Sequence, residues 1–146
     1  MQPIASVHGI LFQGNRVLLI RRGHEPNRGR WSLPGGKIEL GESLAEAIKR
    51  EFAEETSLEV RLVRFVDTAE TIVRDEDGRI RFHYVGLCCL VEELGGRLLA
   101  GSDASEASWF SSEELSALDM HQTARRIVEA AFVQRGIPTS GSNTTA

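Results

Sequence analysis

Cysteine is scarce in this chain, and the two that occur, Cys88 and Cys89, stand side by side. Adjacent residues of a strand point to opposite faces, so the pair offers neither a disulfide nor a zinc site, and two reduced core thiols are expected. No run of about 20 apolar residues is present, which excludes a membrane-spanning helix. No basic-then-apolar leader follows Met1-Gln2-Pro3, so a cytoplasmic protein is expected. Basic charge is not in excess either: 17 Lys and Arg stand against 21 Asp and Glu, a net charge of -4, which gives no basis for binding a nucleic-acid polymer. Any phosphate contact must be local. Proline is missing between Pro34 and Pro138, and Tyr84 is the single tyrosine.

What remains is ordinary globular composition, with 41% hydrophobic and 26% charged residues over 146 positions, enough for one domain around one core. That domain is expected over residues 1–138, followed by a disordered tail, TSGSNTTA, at 139–146. Ser6 to Gln13 and Arg16 to Arg21, parted by Gly14-Asn15, read as a hairpin. Val17 to Ile20 is continuously apolar, as in a strand covered on both sides. Arg21 to Arg30 is polar and punctuated by Gly and Pro, a loop with four arginines. Glu59 to Val73 reads as a long strand, turned at Asp75 to Gly78 into Arg79 to Val91, where Ile80, Phe82 and Tyr84 are expected on the core face. Gly95-Gly96 reads as a further turn and Ala107 to Phe110 as a short strand. Ser111 and Glu114 have the spacing of a capping box for a short helix to Leu118. An amphipathic helix is expected from His121 to Gln134, with Ala124, Ile127, Val128, Ala131 and Phe132 inward. Strands flanked by helices imply an α/β/α sandwich around a mixed β-sheet.

The most informative stretch is Gly35 to Leu58. Ser43 and Glu46 have the S-x-x-E spacing that starts a helix, which is expected to end near Glu55. Leu44, Ala47 and Ile48 share a face, with Phe52 at its margin, and that apolar stripe continues into Glu51 and Glu55. Like charges four residues apart repel, and anions near a helix C-terminus oppose its dipole. Such acids persist inward if they stay protonated or solvated, or if a cation sits among them; hard oxygen ligands suit Mg²⁺ or Mn²⁺. A solvated charged face is the ordinary reading of an acidic helix segment, but the inward register argues against it here.

Gly36, Glu42 and Arg50-Glu51-Phe52-Ala53-Glu54-Glu55, closed by Leu58, resemble the box of the Nudix (MutT-type) hydrolases, G-x5-E-x7-R-E-U-x-E-E-x-G-U, where U is bulky and apolar. Every specified position matches except Ser57, where the family has a glycine. Trp31 to Gly36 is similar to the usual lead-in. The resemblance implies the α/β/α Nudix fold and hydrolysis of the phosphoric anhydride in a nucleoside diphosphate linked to another group: a nucleoside triphosphate, an oxidised nucleotide or an ADP-sugar such as ADP-ribose. It implies Mg²⁺, with Mn²⁺ as a substitute, held by the Gly36 carbonyl and by Glu51, Glu54 and Glu55. Glu42 is expected to organise the site or to answer the helix dipole, and Arg50 to pair with a neighbouring carboxylate. For the general base the resemblance leaves a box acid, Glu51 or Glu54, or a later loop acid, Asp103 or Glu106, either of which is base or ligand; Glu92 and Glu93 are lesser candidates. Any one of these later acids is more often a solvated loop carboxylate.

Arg21 and Arg30 are the candidates for gripping phosphate, since a planar guanidinium matches it, though solubility explains most arginines. Trp31 and Phe12 offer rings to a base, with core packing the commoner task for Phe12; His83 reads as a strand-surface histidine. The ADP-ribose marker, a proline about 15 residues past the box, is absent, and so are the diadenosine-polyphosphate and coenzyme A markers. The general likeness is to the small MutT and ADP-ribose-pyrophosphatase-like members, commonly homodimers. Two other classes stay open: a nucleotide-sensing Nudix-like domain without catalysis, and an acidic interaction module that binds divalent ions.

Overall fold

Helix α1 (Leu44–Thr56) begins where the S-x-x-E spacing puts it, in a computed structural model that describes residues 2–137. The Glu46 amide donates to Ser43 Oγ at 3.1 Å, and the Ser43 amide donates to Glu46 Oε1 at 3.3 Å, so each satisfies an orphan group of the first turn. The helix stops on Ser57, whose φ of 62° is left-handed and whose amide reaches the Ala53 carbonyl at 3.2 Å. Serine thus makes the turn glycine usually makes, at a cost of roughly 1 kcal/mol.

The strands in chain order are β1 (Ile4–Ile10), β2 (Phe12–Gln13), β3 (Arg16–Arg22), β4 (Trp31–Ser32), β5 (Gly35–Lys37), β6 (Leu58–Arg74), β7 (Ile80–Gly96) and β8 (Ala104–Ser111). One mixed sheet has the order β5-β1-β7-β6, with β1 and β7 parallel and the other neighbours antiparallel. In the second sheet β3 pairs with β2 and β4 along one edge and with β8 along the other. Helix α2 (Gln122–Gln134) completes the chain.

The strands form a middle layer because successive residues feed opposite cores. Val17, Leu19 and Cys88 face α2, where Ile127, Val128 and Phe132 are buried. Leu18 and Cys89 face α1, with Ile48 and Phe52. This explains the unbroken apolar run in β3 and the two adjacent thiols, and it is the expected α/β/α sandwich. Gly9 lets α1 approach β1: a Cβ there would lie 2.3 Å from Phe52 Cε1. Phe52 is therefore fully buried rather than marginal, contributing on the order of 2–3 kcal/mol, whereas Leu44, expected inward, is 36% exposed.

Several expected elements differ. The hairpin at Gly14-Asn15 is only the short β2 with the start of β3, because the chain breaks at Leu11 and sends β1 into the other sheet. Gly95 and Gly96 are not a turn but pair with Glu59 and Leu58; a Cβ on Gly96 would meet the Ser57 carbonyl at 2.4 Å. The outer half of the β6-β7 hairpin projects beyond the core, leaving Ile72 and Ile80 exposed. The segment after β8 is a 3-10 turn, Glu114–Ala117, in which Glu114 Oε1 accepts from the Ser111 amide while the N-cap, Glu113, makes no side-chain cap bond. Helix α2 matches its expected span, with the His121 side chain as its cap. The expected tail, 139–146, and the domain end at 138 lie outside the described residues.

Candidate active site

Glu51 and Glu55 lie one turn apart on the inward face of α1, 9% and 4% exposed. β5 runs beneath them, and its glycines make the space. A Cβ on Gly36 would stand 2.6 Å from Glu51 Oε1 and 2.8 Å from Oε2, so only glycine allows this approach. The Gly35 amide donates to Glu55 Oε1 at 2.8 Å. Burial, with the charges of Glu51 and Asp103 nearby, pushes the Glu55 carboxyl up to about 8, against the opposing Gly35 amide and Arg22. Burial also raises Glu51, although Arg50 acts in the other direction.

Arg50 organises the acids around it. Its Nε and Nη2 donate to the two oxygens of Glu42 at 2.6 and 2.9 Å, a bidentate pair that holds Glu42 down to about 2. Nη1 donates to Glu51 at 2.9 Å and to Glu54 at 3.4 Å, and Nη2 reaches the Lys37 carbonyl at 2.9 Å. Glu54 itself is exposed. One guanidinium therefore ties the loop before α1, two of its acids and β5 together.

The later candidates separate. Asp103 lines the cleft, pairs with His24 and lies close enough to raise both buried glutamates. Glu106 instead faces Arg21 across β3 and β8, at 3.5 Å, with both side chains about half exposed and neither in the cleft lining. Glu92 pairs with Arg61 at 2.6 Å on the hairpin, away from the cleft, and Glu93 does not line it. Arg30 lines the cleft, 3.4 Å from Asp119. Trp31 also lines it, edge-on to Phe110, while Phe12 packs edge-on against Phe132.

His24 and His8 line the cleft and escaped the sequence reading; Arg22 lines it too, one of the loop's four arginines passed over there in favour of Arg21 and Arg30. Arg22 had a usable signal, since extending β3 by one residue turns it to the face opposite Arg21. Its Nε donates to the Pro26 carbonyl at 2.7 Å, and no carboxylate pairs with it among the described residues. His8 and His24 carry no local pattern that marks them.

The cleft holds about 510 Å³. Among the described residues no three His, Cys, Asp or Glu side chains already converge on one metal-sized point; Arg50 bridges Glu51 and Glu54, and Glu55 is turned to Gly35. The donor set still fits a hard divalent cation: carboxylate oxygens over a side-chain-free cradle, two of them raised by burial that protein groups offset only in part.

The NUDIX domain model matches residues 2–131. An ADP-ribose pyrophosphatase of Methanocaldococcus jannaschii is 36% identical over 118 residues, covering 81% of this chain and 68% of that protein. A putative 8-oxo-dGTP diphosphatase 2 of Mycobacterium tuberculosis is 35% identical over 115 residues, covering 77% of each. Over the first three relatives the chain spans 68%, 54% and 77% of their length. Among solved structures, a MutT protein from Bacillus halodurans superposes with a TM-score of 0.73 at 28% identity, over 88% of this chain and 82% of the other.

Proposed function

The chain belongs to the NUDIX family as a pyrophosphohydrolase, and from that premise we propose that it hydrolyses the diphosphate of ADP-ribose or a similar nucleoside diphosphate derivative. The observation that carries this reading is the buried pair Glu51 and Glu55 above Gly36, with Glu55 raised to about 8. Two inward carboxylates are costly alone and become favourable around a cation. The Gly36 carbonyl with Glu51, Glu54 and Glu55 would hold Mg²⁺, or Mn²⁺. When bound, such an ion offsets phosphate charge and acidifies the attacking water.

The chain's own residues position the rest. Arg50, anchored on Glu42 and the Lys37 carbonyl, keeps Glu51 and Glu54 in place. Arg22, which pairs with no carboxylate among the described residues, lines the cleft near Glu55 and suits a phosphate oxygen, with Arg30 as a second contact. For the general base, Glu54 is the solvent-facing box acid and Asp103 the later acid that reaches the cleft. Glu106 and Arg21 engage each other outside it. No helix among the described residues is long and apolar enough to cross a membrane; we infer a cytoplasmic setting and one domain over 1–138 from composition and length, and a homodimer from the family likeness, to be read by localisation, proteolysis and sedimentation.

Incubation with Mg²⁺ and ADP-ribose is expected to release AMP and ribose 5-phosphate, with EDTA abolishing release. Release from 8-oxo-dGTP alone would favour the substrate named for the M. tuberculosis relative. Binding of ADP-ribose with no product would instead make the chain a nucleotide sensor.

A further inference from the structure

The cleft has two halves of different chemistry. One carries Glu51, Glu55, Arg22 and Asp103; the other is neutral, walled by Ser6, Ala69, Thr71, Tyr84 and Ile127. His8 stands at their boundary on β1, the strand between β5 and β7. Its ring occupies a socket left by two glycines on the neighbouring strands. A Cβ on Gly35 would lie 2.6 Å from His8 Nδ1, and one on Gly86 would lie 3.3 Å from His8 Cδ2 and 3.1 Å from Ser6 Oγ. Ser6 Oγ is 3.3 Å from His8 Nε2, and the Leu33 backbone bonds the ring as well.

With one ring N–H given to the Leu33 backbone, the other nitrogen of the neutral ring is an acceptor, and Nε2 lies beside the Ser6 hydroxyl. Burial and the charge of Arg22 hold His8 down to about 4, so the imidazole is neutral near pH 7. A neutral imidazole next to a hydroxyl does not balance phosphate charge. It matches a group that both donates and accepts, as a sugar hydroxyl does. Gly35 links the two halves, since its amide holds Glu55 while its Cα lies against His8. The first uncharged group beyond a diphosphate at the acids therefore arrives at His8, and in nucleoside diphosphate derivatives that group is a sugar.

We propose that His8 and Ser6 bind a hydroxyl of the ribose next to the diphosphate, making them specificity residues that favour ribosyl over deoxyribosyl substrates. This rests on the hydrolase reading given above.

Ser6→Ala and His8→Asn are each expected to raise KM for ADP-ribose about tenfold, the scale of one lost hydrogen bond to an uncharged group, with kcat within about twofold of wild type. His8→Gln, whose amide reaches the Nε2 position, should recover most of the loss. For an ADP-ribose analogue lacking the ribose hydroxyl concerned, wild type should show the same rise and Ser6→Ala should add nothing. Unchanged KM in both variants, a fall in kcat alone, or effects that multiply for every hydroxyl removed would overturn the proposal. Should the His8 variants fail to fold, Ser6→Ala with the analogues carries the test. Failure of the hydrolase reading is separable: in EDTA, tryptophan-fluorescence titrations compare AMP with 2′-deoxy-AMP, and ribose 5-phosphate with 2-deoxyribose 5-phosphate. A ribosyl preference of about tenfold in one pair, abolished in Ser6→Ala, supports the proposal; equal affinities in both pairs refute it.

Discussion

The acids of the cleft and those of the β6-β7 hairpin are the same chemical groups in opposite surroundings. Glu51 and Glu55 are buried side by side, and burial raises both. Asp67 on β6 is half exposed, and Arg126 with the Thr68 amide holds it below the usual carboxylate range. Glu92 on β7 is likewise matched by Arg61. Acid content does not distinguish these regions; the completeness of compensation does. On the hairpin these two anions each have a cation beside them and a side chain about half exposed. In the cleft two carboxyls have been desolvated, and Arg50, Arg22 and the Gly35 amide offset this only in part, a shortfall that suits a charge from outside.

The contrast breaks most visibly in turnover. Glu51→Gln or Glu55→Gln is expected to lower kcat at least about 100-fold, the scale for removing a charge-stabilising group, while Glu92→Gln stays within about twofold. A loss under threefold at both cleft positions would place the metal elsewhere. Arg21 and Arg22 give a sharper version on adjacent residues. Arg22→Ala should raise KM for ADP-ribose about tenfold or more, with only partial recovery in Arg22→Lys because an ammonium lacks the planar fork. Arg21→Ala, lost from a surface pair, should change it less than threefold.

Stability against pH separates the two regions without substrate. Glu55 binds its proton more tightly in the folded chain, so its contribution is complete below about 4.5 and is lost as pH rises through about 8. In EDTA the Tm should therefore fall by several degrees over this window, and Glu55→Gln should flatten that slope. His8 has the opposite sign: its lowered value gives stability above 6.5 that is lost as pH falls through about 4. A Tm in EDTA that falls equally from pH 5 to 8 in wild type and Glu55→Gln would remove Glu55 as its cause. The smallest effect belongs to the hairpin. Arg126→Ala breaks a half-exposed pair with Asp67 and should shift Tm by no more than about 3 °C, because such pairs contribute at most about 1 kcal/mol.

How far the chain could be read in advance depended on whether the signal was local. Ser43 with Glu46, the helix they cap and the inward register of Glu51 and Glu55 are properties of one helical segment, and they appear where spacing puts them. The continuous apolar run in β3 likewise announces a strand covered on both sides. The break at Leu11 was not legible, since Ser6 to Gln13 has strand composition throughout and only pairing partners decide which sheet each half joins. Asp103 and Glu106 are equivalent on paper. They part because Glu106 lies opposite Arg21 in a sheet ladder, whereas Asp103 precedes the strand and meets His24 and the cleft.

By itself the sequence determined the helix, its caps, the box and the direction its acids face, because backbone periodicity and i-to-i+4 geometry operate within a few residues. Which arginine and which late acid reach those carboxylates, and that His8 sits neutral between Gly35 and Gly86, were decided only by the packing of β1, β3, β5 and β7. Desolvation and the reach of one charge to another depend on through-space distance, which strand pairing sets and residue spacing does not.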